Sequence, residues 1–247
     1  MSKKTGFCVG LLLAALGLAG GEAGAAEGAY TDLRFVGQAA KAGSGSNLVT
    51  YFRNSSDGKS LAWTTCGNSG ATSGCYGSGD LEGFGNACAV LSGPGNILYV
   101  LDKQSLNAKG ELTQTPALFM FRQSITETGD GLVGVSFRLA KKVALPLTGG
   151  AEVRCSMAAN AQDVVLGTDK SASVAFFDKK AHTVRNEPAG GTAGVRSITA
   201  NEAGYVVVTS LDDGLAVYDK DSQLQISGGT TAQTFVSNKV NAVELTN

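Results

Sequence analysis

Short apolar runs alternate with polar and glycine-containing breaks along most of this chain, and the second half shows the pattern best. Val195 to Ala200 is predicted as a strand, followed by a turn at Asn201-Glu202-Ala203-Gly204. Tyr205 to Ser210 is a second strand, rich in β-branched residues. Asp212-Asp213-Gly214 marks a hairpin, because Asp-Gly tolerates the positive φ such turns require. Leu215 to Asp219 and Gln223 to Ser227 complete a four-stranded unit.

The unit occurs once more upstream. Val153-Arg154-Cys155-Ser156 matches Val195-Arg196-Ser197-Ile198, Asp163 to Leu166 matches Tyr205 to Val208, and Val174 to Lys179 matches Leu215 to Lys220. The offset is about 41–42 residues, a spacing typical of four-stranded propeller blades. A third copy starts at Cys88. Its later part carries an inserted loop from Gln104 to Thr115, then strands at Leu118 to Phe121, Leu132 to Phe137 and Val143 to Leu147, which make it longer. N-terminal strands are expected at Leu33 to Val36, Asn47 to Phe52 and Leu61 to Thr65, without a first strand of their own. Val240 to Leu245 reads as a first strand with nothing after it. The pattern predicts an all-β fold: a small β-propeller of four to five blades, its ring closed where the C-terminal strand joins the N-terminal ones. Closure would limit exposed sheet edges.

Ser197-Ile198-Thr199-Ala200, Gly204-Tyr205-Val206-Val207-Val208-Thr209 and Leu215-Ala216-Val217-Tyr218-Asp219 together resemble blades of the YVTN/WD40-like propeller superfamily. The likeness extends over about 152–227 and concerns the fold. The Trp-Asp and Gly-His signatures of true WD40 repeats are absent.

The N-terminus places this fold beyond an export barrier. Lys3 and Lys4 precede an apolar run from Phe7 to Ala19, and Ala23-Gly24-Ala25 is a cleavage site of the A-x-A type. This is the layout of a signal peptide over residues 1–25, and the run is short of the ~20 apolar residues of a spanning helix. Residues 26–247 are then one domain, with a net charge near −2. That balance gives no electrostatic case for nucleic acid. No membrane span is expected in the mature chain, and a periplasmic or extracellular location follows.

Four cysteines remain after cleavage, an even number that suggests two disulfides in an exported chain. Three pairings are open. Cys66 and Cys75 flank a short, flexible loop and are the easiest to join, which leaves Cys88 and Cys155. These two occupy equivalent places on first strands of successive units, where a bond would staple neighbours; two buried thiols are the alternative. A metal site is not expected, since there is no CxxC pair and His182 is the only histidine. No CxxCH occurs for haem, and no cofactor is expected.

Other motifs read as ordinary loops. Gly58-Lys59-Ser60 lacks the earlier glycine of a phosphate-binding loop, and Gly77-Ser78-Gly79 and Gly83-Phe84-Gly85 read as flexible loop. Asp169, Asp178, Asp212, Asp213, Asp219 and Asp221 recur at strand ends without calcium-loop order. His182 suggests a surface or capping role. Trp63, Tyr76 and Phe84 mark the best corner for a ligand surface, while Arg154, Arg196 and Glu244 are the polar candidates for a channel site. The function expected is a non-catalytic exported module that binds a protein or a surface polymer. The alternatives are lectin-like sugar binding and a hydrolase or lactonase with a site in the channel.

Overall fold

In the computed structural model, residues 30–40, 47–55, 57–69, 72–93, 95–127, 133–147, 152–169, 173–190, 193–201, 203–212 and 214–228 are described. Both the N-terminal export segment and Val240 to Leu245 lie outside them. The described residues form four antiparallel sheets of four strands each and no helix. Among the described residues no helix is long and apolar enough to cross a membrane.

Sheet 1 holds β1 (Tyr30–Ala40), β2 (Asn47–Ser55), β3 (Ser60–Ser69) and β4 (Thr72–Glu82). Sheet 2 holds β5 (Ala87–Gly93), β6 (Ile97–Asp102), β7 (Ala117–Glu127) and β8 (Val133–Ala144). Sheet 3 holds β9 (Val153–Ala159), β10 (Asp163–Thr168), β11 (Ser173–Asp178) and β12 (Val184–Pro188). Sheet 4 holds β13 (Val195–Ala200), β14 (Val206–Ser210), β15 (Leu215–Tyr218) and β16 (Leu224–Gly228). Strand order follows chain order in every sheet.

Two expectations about the units need correction. Sheet 1 has a first strand of its own, β1, which contains Leu33 to Val36, so no C-terminal strand is needed to complete it. The strand missed from the sequence is β4, whose glycines hide its alternation. In sheet 2, Leu132 to Phe137 and Val143 to Leu147 are not separate strands: one strand, β8, runs through Lys141 and Lys142. A register shift between Met120 and Phe121 absorbs the irregularity. The unit is longer because its outer hairpin and its β6–β7 connection are longer, not because it has more strands.

Successive sheets pack face to face. Phe52, Leu61, Trp63 and Leu81 of sheet 1 share a core with Leu98, Val100, Phe119 and Phe121 of sheet 2. Tyr99, Leu101, Leu118 and Met120 meet Val164, Leu166 and Phe177 of sheet 3. Val165, Val174 and Phe176 meet Val206, Val208 and Tyr218 of sheet 4. The apolar runs Val164 to Leu166 and Val206 to Val208 are buried throughout, as expected for middle strands covered on both faces. The first strands lie in a row: β1 against β5, β5 against β9, and β9 against β13.

Each crossover into a first strand is tied to the second strand of the same sheet by one repeated backbone bond. The amides of Lys103, Asp169 and Leu211 donate to the carbonyls of Asn86, Glu152 and Gly194, at 2.9, 3.0 and 2.8 Å. At Gly194 the two backbones pass so closely that a Cβ would lie 2.1 Å from the Asp169 carbonyl oxygen. Carboxylates reinforce these crossovers. Asp102 accepts from Gly85 and Asn86, Asp169 from Glu152, and Asp212 from Ala193.

Candidate functional site

Connections at one end of sheets 1 and 2 enclose a cleft of about 470 Å³. The β2–β3 turn contributes Asp57, Gly58 and Lys59, and the β4–β5 crossover contributes Gly85 and Asn86. The β6–β7 connection adds Lys103, Gln104 and Leu112, and Cys88 and Cys155 also line the cleft. The insertion expected from Gln104 to Thr115 is this connection. Leu106 and Leu112 pair across it, and the Asn107 side-chain carbonyl accepts from the amides of Lys109 and Glu111. Its Leu112 is largely exposed at 56 %.

The cleft is polar and nearly charge-balanced. Asp57 accepts from the Ser55 hydroxyl at 2.7 Å and from the Lys59 amide at 3.1 Å, and these bonds hold its carboxyl below the usual range. Lys103 reaches Glu152 at 3.4 Å. Behind the wall, Asp102 is fully buried. Burial pushes its carboxyl up, against the opposing pull of the Gly85 and Asn86 amides and of Lys142. Asn54, only 7 % exposed, donates its Nδ2 to the Ala87 carbonyl at 2.9 Å, and its Oδ1 has no hydrogen-bond partner among the described residues. An acceptor left open beside a cleft is a place where a ligand donor gains more than it would in water.

Both disulfides named from the sequence are present. Cys66 and Cys75 are directly opposed across β3 and β4, with Cα atoms 3.9 Å apart. The segment between them is therefore a hairpin rather than a flexible loop. Cys88 and Cys155 join β5 to β9 over a Cα separation of 5.2 Å, which the row of first strands makes possible.

The aromatic corner is corrected. Trp63 is 7 % exposed and packs edge-on against Phe137 at 4.9 Å, and Phe84 is fully buried against Phe119 at 4.7 Å. Tyr76 is partly buried against the same core. Trp63 and Phe84 are cement between sheets 1 and 2 and offer no open face to a sugar ring. Gly77-Ser78-Gly79 is strand rather than loop: it belongs to β4, where a Cβ at Gly77 or Gly79 would come within 3.1 or 3.2 Å of the Trp63 ring.

The other singled-out residues are scattered. Arg154 is partly buried on β9, and the Arg196 guanidinium donates to the Leu211 carbonyl at 3.0 Å. Glu244 and Asp213 lie outside the described residues. His182 sits in the β11–β12 turn with φ of 58°, stacked on the Phe177 ring and 2.5 Å from the Lys141 ammonium through Nδ1. Asp178 and Asp219 organise equivalent turns, each accepting two backbone amides through Oδ1. Asp221 accepts from Gln162 across the gap between sheets 3 and 4.

One cluster escaped the sequence reading. Asp163, 2 % exposed, accepts both Arg185 terminal nitrogens at 3.0 and 2.9 Å and the Ser222 hydroxyl at 2.5 Å. Ser222 in turn accepts from Asn160 at 2.8 Å. This network bolts sheet 3 to the β15–β16 turn of sheet 4, and the Asp163 carboxylate is fully engaged by it. Asp102 was also missed, although it stands as far after Cys88 as Asp169 does after Cys155, a signal already present in the repeat.

The class defined by these observations is an all-β protein whose described residues form four stacked four-stranded sheets, one pinned internally and two pinned together by disulfides. No family model matches the chain, and no curated protein matches it. Among solved structures it is similar to the extracellular domain of a putative one component system from B. thetaiotaomicron, at 13 % identity and a TM-score of 0.26. That match covers 86 % of this chain and spans little more than a third of the other, at 37 %. We draw neither fold nor function from so slight a likeness.

Proposed function

We propose that this protein is an exported, non-catalytic binding module built as a small β-propeller, and that the cleft beside Cys88–Cys155 is its primary binding surface. The observation that carries the reading is the repeated crossover. The same backbone bond recurs in sheets 2, 3 and 4, and the first strands stand side by side, which is how blades are arranged around an axis. Such a stack gathers the second-to-third-strand connections and the crossovers at one end, where the cleft lies. Ring closure belongs to the same proposal, with sheet 4 packing against sheet 1. Export is supported by the Lys3 to Ala25 layout and by two disulfides, which persist in oxidising compartments.

Binding rather than catalysis is favoured by the character of the cleft. Its Asp57 is engaged by Ser55 and Lys59, and His182 belongs to a turn at the other end of sheet 3. The lectin alternative finds no open aromatic face at Trp63 or Phe84.

The test uses protein recovered from outside the cytoplasm. Its intact mass should correspond to a chain starting at Ala26 with four cysteines oxidised. Immobilised as bait for the extracellular fraction, it should retain a partner that Lys103→Glu/Leu112→Asp loses. Retention unaffected by that variant would remove the cleft from the proposal. Turnover of a panel of lactones and esters by the purified protein would overturn the non-catalytic reading.

A further inference from the structure

We infer that the outer hairpin of sheet 2 carries a second binding surface, a cationic strip that takes an acidic polysaccharide. The inference goes beyond the proposed cleft and rests on the reading of the chain as an exported binding module for its biological sense.

The strip follows from register. Arg122 on β7 is directly opposed to Arg138 on β8, Ser124 to Ser136, and Met120 to Lys141. Directly opposed residues share a face of the sheet, and alternation puts Arg122, Ser124 and Thr126 on one side of β7. The same alternation puts Phe121 and Ile125 on the other side, in the core shared with sheet 1. Arg122, Ser124, Thr126, Ser136, Arg138 and Lys141 are all exposed. Met120 and Leu118, nearer the base, still face sheet 3, so the strip is the part of that face extending beyond the shared core.

Its electrostatics are unbalanced. Two guanidinium groups sit side by side on neighbouring strands, an arrangement that is repulsive unless an anion lies between them. Neither Arg122 nor Arg138 makes an ion pair among the described residues, and the Lys141 ammonium lies 2.5 Å from His182 Nδ1, with no carboxylate paired to it among those residues. The chain as a whole carries a net charge of only −1, so three cations on one short face are a local concentration.

Paired guanidinium forks suit planar carboxylates and sulfates, which they engage bidentately. The neighbouring hydroxyls of Ser124, Thr126 and Ser136 suit a partner rich in hydroxyls. Single-stranded nucleic acid fits less well, because the strip holds no aromatic side chain on which a base could stack, and duplex DNA serves as the control for phosphate binding.

Binding of the full exported chain to immobilised heparin, polygalacturonate, neutral dextran and duplex DNA tests this directly. Sulfated or carboxylated polymer should bind, with an affinity that falls as salt rises, and neutral dextran should not. Heparin and polygalacturonate together tell which anion is preferred. Arg122→Glu/Arg138→Glu should weaken acidic-polymer binding at least tenfold, while Lys109→Glu/Lys220→Glu, which makes the same change of charge at exposed positions outside both the strip and the cleft lining, should leave it within twofold. Equal loss in both variants would reduce the effect to non-specific charge and overturn the inference. So would DNA binding as tight as that of either polysaccharide, or no acidic-polymer binding at all. If the hairpin variant still retains the partner captured through the cleft, the proposed function stands whether or not the strip does.

Discussion

Trp63 packs over β4 where two side chains are missing, at Gly77 and Gly79. Gly77→Ala would put a Cβ 2.7 Å from the Val135 carbonyl oxygen and 3.1 Å from the Trp63 ring. Neither neighbour can swing away, so a loss of roughly 1–3 kcal/mol in urea unfolding is expected. Gly74→Ala, on the same strand with nothing within 4 Å, should be close to neutral. Carboxyl titration followed by NMR supplies a second check. On acidification Asp102 should protonate first, because burial raises it, and Asp57 and Asp178 last, because hydrogen bonds from neighbouring groups lower them. The linkage signs differ accordingly. Asp57 and Asp178 contribute stability above the unfolded carboxylate value, lost as pH falls through their folded values. Asp102 favours the fold at low pH and loses that contribution as pH rises through its folded value. The reverse titration order would contradict the placement of these groups. The packing of Trp63 was not legible in the sequence: Trp63 and Phe84 looked like a ligand corner because the glycines beside them looked like loop. An aromatic residue next to glycines reads alike whether the glycines give flexibility or make room.

At the scale of strands and hairpins, the second half was nearly transparent. Val195 to Ala200 forms the strand expected, and Asp163 to Leu166 lies within β10, because β-branched runs bounded by Asp and Gly leave few alternatives. The first half hid β4 for want of apolar alternation and split β8 at Lys141-Lys142, whose charges can be exposed on an outer strand without ending it. The disulfides follow this geometry. Cys66–Cys75 closes a separation of 9 residues and Cys88–Cys155 one of 67. In the chain-entropy account these are worth roughly 2–3 and about 4 kcal/mol. Cys88→Ala/Cys155→Ala should therefore lower unfolding free energy more than Cys66→Ala/Cys75→Ala. Equal losses would mean that the link between sheets 2 and 3 adds nothing beyond local closure. The Asp163–Arg185–Ser222 bolt between sheets 3 and 4 went unseen because its members come from three separate strands and turns. Only the packing of sheet on sheet brings them together.

For the whole molecule, the repeat announced stacked sheets, and stacked sheets sharing three cores are what the chain forms. The four strands of sheets 3 and 4 and the pairing of cysteines across first strands were also within reach of the spacing. What spacing cannot encode is the identity of a bound partner, since the repeat is set by core and crossover positions while recognition lies in the loops and the outer hairpin. The proposal that depends most on global arrangement is the closed propeller, in which sheet 4 and sheet 1 become neighbours. Small-angle X-ray scattering of the mature chain tests it most directly. A closed ring of residues 26–247 should be compact, with a radius of gyration of about 17 Å and a single symmetric pair-distance peak. A clearly larger radius with an elongated profile would show an open stack of four sheets and contradict the propeller.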